Sequence, residues 1–359
     1  MDAEITRTRL CQQLITRQPF YTAEEVVSWL GAVQAQDYLA AKWAVGLRTP
    51  GLNDAAIHQA VCAGAILRTH VLRPTWHFVT PADIRWMVAL TAPRVRLALT
   101  ANDRRLNIDE AFLARAYDLL TAAMQGGRQL TRAEISPLLR QAGIALDPQL
   151  RLGQIMIHAE LDGLVCSGAW RGKQATYALL DERVPAAKTR SREESLAGLT
   201  RRYFTSRGPA TLRDFSWWSG LTVADAKEGL ALTGDGLTAE TVGGQTYWLA
   251  ADVEDTPGDP PGALLLPNYD EYAVGYADRR AIIDPAHLPL LDKRSSSLLS
   301  NIMVSGGRVI GMWKREFHKG AVTLSTRPFA PQSQAESQAF GAAAARYAHF
   351  LGLPLEIIP

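Results

Sequence analysis

Apolar residues recur along this chain with two periods, and the change from one to the other happens three times. Apolar positions at helical spacing mark Ile5–Thr16, Phe112–Met124 and Leu196–Phe204. Each stretch precedes a Thr-x-x-acid sequence: Thr22-Ala23-Glu24-Glu25, Thr131-Arg132-Ala133-Glu134 and Thr211-Leu212-Arg213-Asp214. In such a box the Thr hydroxyl accepts from the amide three residues on, and the acid reaches back to the cap amide, so each box predicts a helix start. Asp214, being shorter, makes a weaker version. The helices so opened continue through Val26, Val27 and Leu30, through Ile135, Leu138 and Leu139, and through Phe215 and Trp218. A third helical pattern follows in each case, at Leu52–Cys62, Leu152–Leu164 and Val223–Leu232. It then yields to alternation over Leu67–Val79, Val165–Leu179 and Leu237–Leu249, with Pro74, Gly172 and Gly243-Gly244 at the turns.

Helix, helix, helix, hairpin is the plan of a winged helix, a relative of the helix-turn-helix. The expected fold is therefore α+β, with three tandem winged-helix units over 1–100, 101–185 and 186–252. Beyond Ala251 the texture changes. Glu254–Gly262 is rich in Pro, Gly and Asp and reads as a linker. Strand-like runs follow at Ala263–Leu266, Arg308–Lys314 and Ala321–Ser325, then a helix at Gln334–Leu351. The region 253–359 is expected to form a small β-rich, barrel-like domain closed by that helix.

Composition narrows the class without naming a function. A chain of 359 residues is long for one core, and 47% hydrophobic with 21% charged residues is an ordinary globular balance. The net charge of +2 announces no polyanion partner, so nucleic-acid binding would need a localised basic face. Cys11, Cys62 and Cys166 lie far apart, suggesting neither a disulfide framework nor a zinc site. Met1–Leu10 has no signal-peptide core, and no apolar run is long enough to cross a membrane. A cytoplasmic protein is expected.

Familiar catalytic signatures are missing. Gly168–Lys173 is one residue short of a phosphate loop, and Gln174 stands where a metal-binding hydroxyl belongs. There is no H-E-x-x-H, G-x-S-x-G or dinucleotide fingerprint, and the seven histidines are scattered. No metal or organic cofactor is expected. By itself the repeat points to a transcriptional regulator. One segment shifts the balance: Gln34 and Gln36, in Gly31-Ala32-Val33-Gln34-Ala35-Gln36-Asp37-Tyr38. Residues i and i+2 lie on nearly opposite sides of a helix but on one side of an extended chain. If the two act together, the helix must end or distort near Val33. Otherwise both are solvated or capping residues, and a glutamine has no acid–base strength of its own.

Leu30-Gly31-Ala32-Val33-Gln34-Ala35-Gln36-Asp37 resembles the Gln-x-Gln motif of the AlkZ-like bacterial DNA glycosylases. Similar resemblances run through Leu67–Val79, Arg207–Phe215 and Leu266–Tyr276, so the likeness spans Thr6 to Leu353, and the order and spacing of the motifs carry it. Related members of the wider superfamily have Gln-x-Asp, and Gln36 puts this chain with the AlkZ-like branch. The resemblance implies a monofunctional glycosylase that hydrolyses the N-glycosidic bond of purines alkylated at N7 or N3. In some members this extends to bulky adducts or interstrand crosslinks. It also implies tandem winged helices around a DNA channel, double-stranded DNA as partner, and Gln34 and Gln36 as the catalytic pair. With no lysine beside the pair, a Schiff-base route is not expected.

Other residues are candidates for DNA or substrate contact. Arg68, Arg73, Thr75 and His77 alternate across the first hairpin and could meet phosphate or a flipped sugar, although Thr75 and His77 could equally satisfy buried backbone groups. Trp43 and Trp76 could stack on a base, though aromatics beside a helix or hairpin are more often core. Tyr269, Asp270 and Glu271 could line the channel or cap their own hairpin. Arg279 and Arg280 are read as phosphate contacts, and Asp37 as negative charge near the cation or as a helix-end carboxylate. A monomer is expected. The competing functions are a regulator without chemistry, which would prefer one duplex sequence, and a protein that sequesters a DNA-alkylating compound.

Overall fold

The computed structural model describes residues 2–146, 150–186, 188–251, 262–290, 300–318 and 320–358. The first segment runs α1 (Asp2–Gln12), α2 (Ala23–Leu30), β1 (Val33–Gln34), α3 (Tyr38–Gly46), α4 (Asp54–Ala63), β2 (Leu67–His70) and β3 (Trp76–Val79). Helix α5 (Pro81–Leu106) leads to α6 (Glu110–Met124), β4 (Leu130–Thr131), α7 (Arg132–Gln141), α8 (Leu150–Leu161), β5 (Val165–Ser167), β6 (Thr176–Leu179) and the short α9 (Leu180–Arg183). The third segment contains α10 (Arg192–Arg207), α11 (Leu212–Ser219), α12 (Val223–Thr233), β7 (Leu237–Val242) and β8 (Gln245–Ala250). The chain ends with β9 (Leu264–Leu266), α13 (Glu271–Val274), β10 (Ile302–Ser305), β11 (Arg308–His318), β12 (Ala321–Pro328), α14 (Gln334–Leu351) and β13 (Leu355–Ile358). No helix among the described residues is long and apolar enough to cross a membrane.

The repeat exists, but its register differs from the expected one. In the second segment β4 stands between the first and second helices and pairs with β6, giving the sheet β4-β6-β5. The third segment does the same with a single bridge, Ala210 to Trp248, just before α11. In the first segment the corresponding strand is β1, in the sheet β1-β3-β2, and it follows α2. The repeating trio there is therefore α2, α3 and α4, with α1 added in front. Thr22 does cap α2 with a complete box, yet α2 is the first helix of its trio, whereas Thr131 and Thr211 cap second helices. Ser191, Thr222 and Ser333 also form complete boxes. A box satisfies orphan amides at any helix start and so cannot say which helix it opens.

The C-terminal strands correct the barrel expectation. They form an open sheet in the order β13-β12-β11-β10-β9, antiparallel except for the parallel β12–β13 pair. Its apolar face is covered by α14 through Phe340, Ala344, Tyr347 and Phe350 and by α3 through Trp43, so burial does not require closure. The linker expected at Glu254–Gly262 lies, apart from Gly262, outside the described residues. The apolar clusters cut across the segment order. One joins α2–α4 to the C-terminal sheet, a second joins β2, β3 and α5 to the third segment, and a third lies within the second segment.

Candidate active site

Helix α2 stops at Leu30 because Gly31 follows at φ 74°, a left-handed conformation that also brings its backbone against Arg202, whose Cδ lies 2.8 Å from where a Cβ would stand. The chain then runs extended. Val33 and Gln34 pair with Phe78 and His77, and the Ala35 amide donates to the Trp76 carbonyl at 2.7 Å. The helix thus ends before Val33, and the two glutamines leave a strand rather than a helix.

Both glutamine side chains reach the β2–β3 hairpin. Gln34 is buried, 5% exposed, and its Oε1 accepts from Arg73 Nη2 at 2.8 Å. Arginine only donates, so this contact fixes which end of the amide faces it. Gln36 is exposed, and its Oε1 accepts from the Trp76 amide at 3.3 Å. Between them, the Ala35 carbonyl accepts from Arg68 Nε at 2.9 Å, and the Arg68 guanidinium lies 4.2 Å from the Trp76 ring centre. Arg73 and Thr75 stand at the hairpin tip, while Arg68 and His77 stand on its strands.

The strand is held from behind by a buried ion pair. Glu271 Oε1 accepts from the Gln34 amide at 2.8 Å. Its Oε2 accepts from Arg207 Nη2 at 2.6 Å and from Trp218 Nε1 at 3.0 Å. Arg207 donates in turn to the Leu30 and Ala32 carbonyls, at 2.6 and 2.9 Å. Glu271 and Arg207 are both fully buried, so groups from the first, third and C-terminal segments meet beneath one backbone amide.

Several buried polar atoms of the β2–β3 hairpin, and one of Arg279, have no hydrogen-bond partner among the described residues: Arg73 Nε, Thr69 Oγ1, Thr75 Oγ1, His77 Nε2 and Arg279 Nη2. Buried polar atoms are nearly always satisfied by protein or ordered water, so these atoms are available to bind water or a substrate. Burial lowers the Arg73 pKa to about 10, with Glu271 opposing the shift, and Arg73 keeps its charge at neutral pH. Burial, reinforced by Arg73, drives the His77 pKa well below the usual histidine value, so the ring is neutral, with Nδ1 on the Thr75 carbonyl. The exposed Trp217 has the Arg73 and Arg279 guanidiniums 5.6 and 5.3 Å from its ring centre.

The structure thus gathers Gln34, Gln36, Arg68, Arg73, Thr75 and His77 on one small sheet, with Arg279 joined through Trp217. It does not gather all the candidates. Trp43 is a core residue: its Nε1 donates to the Leu265 carbonyl at 2.8 Å, and its ring packs on Tyr347 and Phe350, so no face remains for a base. Asp270 is fully buried in a bidentate pair with Arg48, both contacts 2.8 Å, and it caps α13. Asp37 caps α3 and pairs with Arg315 at 3.1 Å, as the helix-end reading expects. Tyr269 sits half-buried in the turn before Asp270, at φ 60°. The groups not foreseen are Arg207 and Trp218 beneath the motif and Trp217 beside it. Their contacts depend on chain segments too distant for any local pattern to signal.

The chain is similar to known proteins along most of its length. A curated relative from Streptomyces sahachiroi, an interstrand DNA cross-link repair glycosylase, is 25% identical over 322 residues, covering 85% of each chain. The solved structure of the Streptomyces sahachiroi DNA glycosylase AlkZ superposes with a TM-score of 0.80 over 99% of both chains, at 23% identity, and so shares the fold. The family model described as DNA glycosylase AlkZ-like matches residues 27–350, which includes the glutamine strand, the hairpin facing it and the Glu271 turn, and on that match the chain belongs to the AlkZ-like DNA glycosylase family.

Proposed function

We propose that this enzyme hydrolyses the N-glycosidic bond of purines alkylated at N7 or N3 in double-stranded DNA, with Gln34 and Gln36 as its catalytic residues. The observation that carries the proposal is the pinning of the Gln34 side chain by Arg73 and of its backbone by Glu271, beside unpartnered polar atoms of Thr75 and His77. An alkylated purine is already cationic and leaves readily. The C1′–N bond breaks with its electron pair passing to the base, which departs neutral. The oxygen of a water molecule bonds to C1′, and its proton passes to solvent. A strong base is therefore unnecessary, and what the protein supplies is position. Gln34 Oε1 keeps one lone pair after accepting from Arg73, and Gln36 Oε1 keeps one after accepting from Trp76, so each carbonyl can still take a hydrogen bond from that water.

The repeated helix–strand–helix–helix–hairpin order supports three winged-helix units, within 1–100, 101–185 and 186–252, gripping the duplex as a monomer. The proposed range extends to bulky adducts and to interstrand crosslinks, the latter supported by the name of the curated relative. The test is release of free base from DNA carrying 7-methylguanine. Wild-type protein should release it, and Gln34→Ala with Gln36→Ala should slow release on the order of 100-fold or more while duplex binding persists. Release unchanged in the double variant would sink the assignment. A strong preference for one duplex sequence without release would favour a regulator.

A further inference from the structure

A cleft of about 410 Å³ opens between the β2–β3 hairpin and the second segment, lined by Arg68, Trp76, Arg132, Gln174 and Tyr177 among others, with no acidic residue in its wall. Two guanidiniums share its aromatic face. Arg68 lies 4.2 Å and Arg132 5.5 Å from the Trp76 ring centre, and burial, with the neighbouring Arg132 adding to it, opposes the charged form of Arg68. Each spends its Nε inside the protein: Arg68 on the Ala35 carbonyl at 2.9 Å and Arg132 on the Tyr177 hydroxyl at 3.0 Å. Their outer nitrogens make no hydrogen bond among the described residues. Glu160, whose charge acts on Arg68, is buried and takes its hydrogen bonds from His70.

Two like charges side by side, with no carboxylate hydrogen-bonded to either among the described residues, favour an anion between them. Paired guanidiniums with free outer donors suit a tetrahedral anion that presents two oxygens. The cleft also adjoins the motif, since the Trp76 amide is the group that holds Gln36 and Arg68 holds the carbonyl between the glutamines. We infer that this cleft is a subsite for one backbone phosphodiester of the DNA strand that passes Gln36, with Arg132 of the second segment as its unassigned ligand. The inference rests on DNA being the substrate. It gives the second segment a direct part in placing the sugar to be cut.

The experiment is duplex binding by fluorescence anisotropy across a salt series, using undamaged DNA, with Arg132→Gln, Arg132→Lys and Tyr177→Phe beside wild type. Loss of one phosphate contact should lower the slope of log K against log salt by about 0.9 in Arg132→Gln. Arg132→Lys and Tyr177→Phe, which keep the charge, should hold the wild-type slope. Base release should then show a raised KM with kcat little changed. An unchanged slope in Arg132→Gln overturns the subsite, as does weakened binding of lesion DNA alone, which would mean that the cleft takes an adduct. A thermal shift by inorganic phosphate that disappears in Arg132→Gln while the DNA slope stays intact would make it a free-phosphate site, which also overturns it. Because the slope needs no excision, a wild-type protein that binds DNA yet releases no base refutes the glycosylase chemistry and leaves the subsite standing. Failure of wild type to bind duplex refutes the subsite.

Discussion

The first and second segments build the same three-strand row, and the row differs where chemistry is proposed. In the first, Thr69, His77 and Gln34 lie across β2, β3 and β1; in the second, Ser167, Tyr177 and Leu130 lie across β5, β6 and β4. Ala239, Trp248 and Ala210 make the third version. After Leu130 and Ala210 the next residue, Thr131 or Thr211, caps the following helix. After Gln34 the cap waits until Asp37. That delay leaves Ala35 and Gln36 between strand and helix, and it is what makes room for a second glutamine. The counterpart positions therefore hold Leu130 and Ala210, neither of which has a polar side chain.

The support differs as well. The strand of the second segment packs within its own apolar cluster, whereas the glutamine strand depends on Glu271 and Arg207 from elsewhere in the chain. Glu271→Ala leaves Arg207 buried and unpaired and should destabilise the fold by about 3–5 kcal/mol, read from urea unfolding. A loss much below this would mean that the two segments are supported alike. Next in size, Arg73→Met should release the Gln34 amide and slow base release roughly 10-fold while duplex affinity changes little, since orientation rather than binding is lost. Equal losses in affinity and rate would instead make Arg73 a DNA contact.

The central residue of each row offers a sharper contrast. His77 has its folded-state pKa depressed, so below about pH 6.5 the unfolded chain binds a proton that the folded one refuses. Stability should therefore fall as pH drops from about 6.5 towards the folded pKa, by at most about 1.4 kcal/mol per pH unit from this group. His77→Gln should flatten that part of a melting-temperature profile. Tyr177, raised to about 12, cannot contribute there. The smallest effect is expected on the surface of the second segment. The exposed Arg171–Glu134 pair should be removable by Arg171→Ala with no measurable change in unfolding midpoint, and a clear drop would mean that this surface pair holds the fold.

Much of this architecture was legible from residue order. α6, α7, α8 and the three helices of the third segment fall where apolar periodicity and caps put them, the hairpins turn at Gly172 and Gly243-Gly244, and α14 spans Gln334–Leu351 as expected. These elements carry their own signals, because amphipathic spacing and cap chemistry act over a few residues. α3 and α5 went unrecognised. α3 is apolar on nearly every side, so no periodicity marks it, and Pro93 interrupts the pattern of α5.

The glutamine pair could be singled out from sequence, and so could the condition that its helix stop before Val33. The two-residue strand could not, because it forms only by pairing with Trp76–Val79 more than forty residues on. For the same reason, sequence could not separate Trp43 and Asp270 from true surface candidates. Whether an aromatic ring or a carboxylate faces solvent depends on which distant side chain arrives opposite it, here Phe350 and Arg48. Local order determined the parts and the chemistry at hand. Tertiary packing decided which glutamine is buried, what holds it, and which two arginines came to share the Trp76 ring, because burial and charge pairing are settled between segments and not within them.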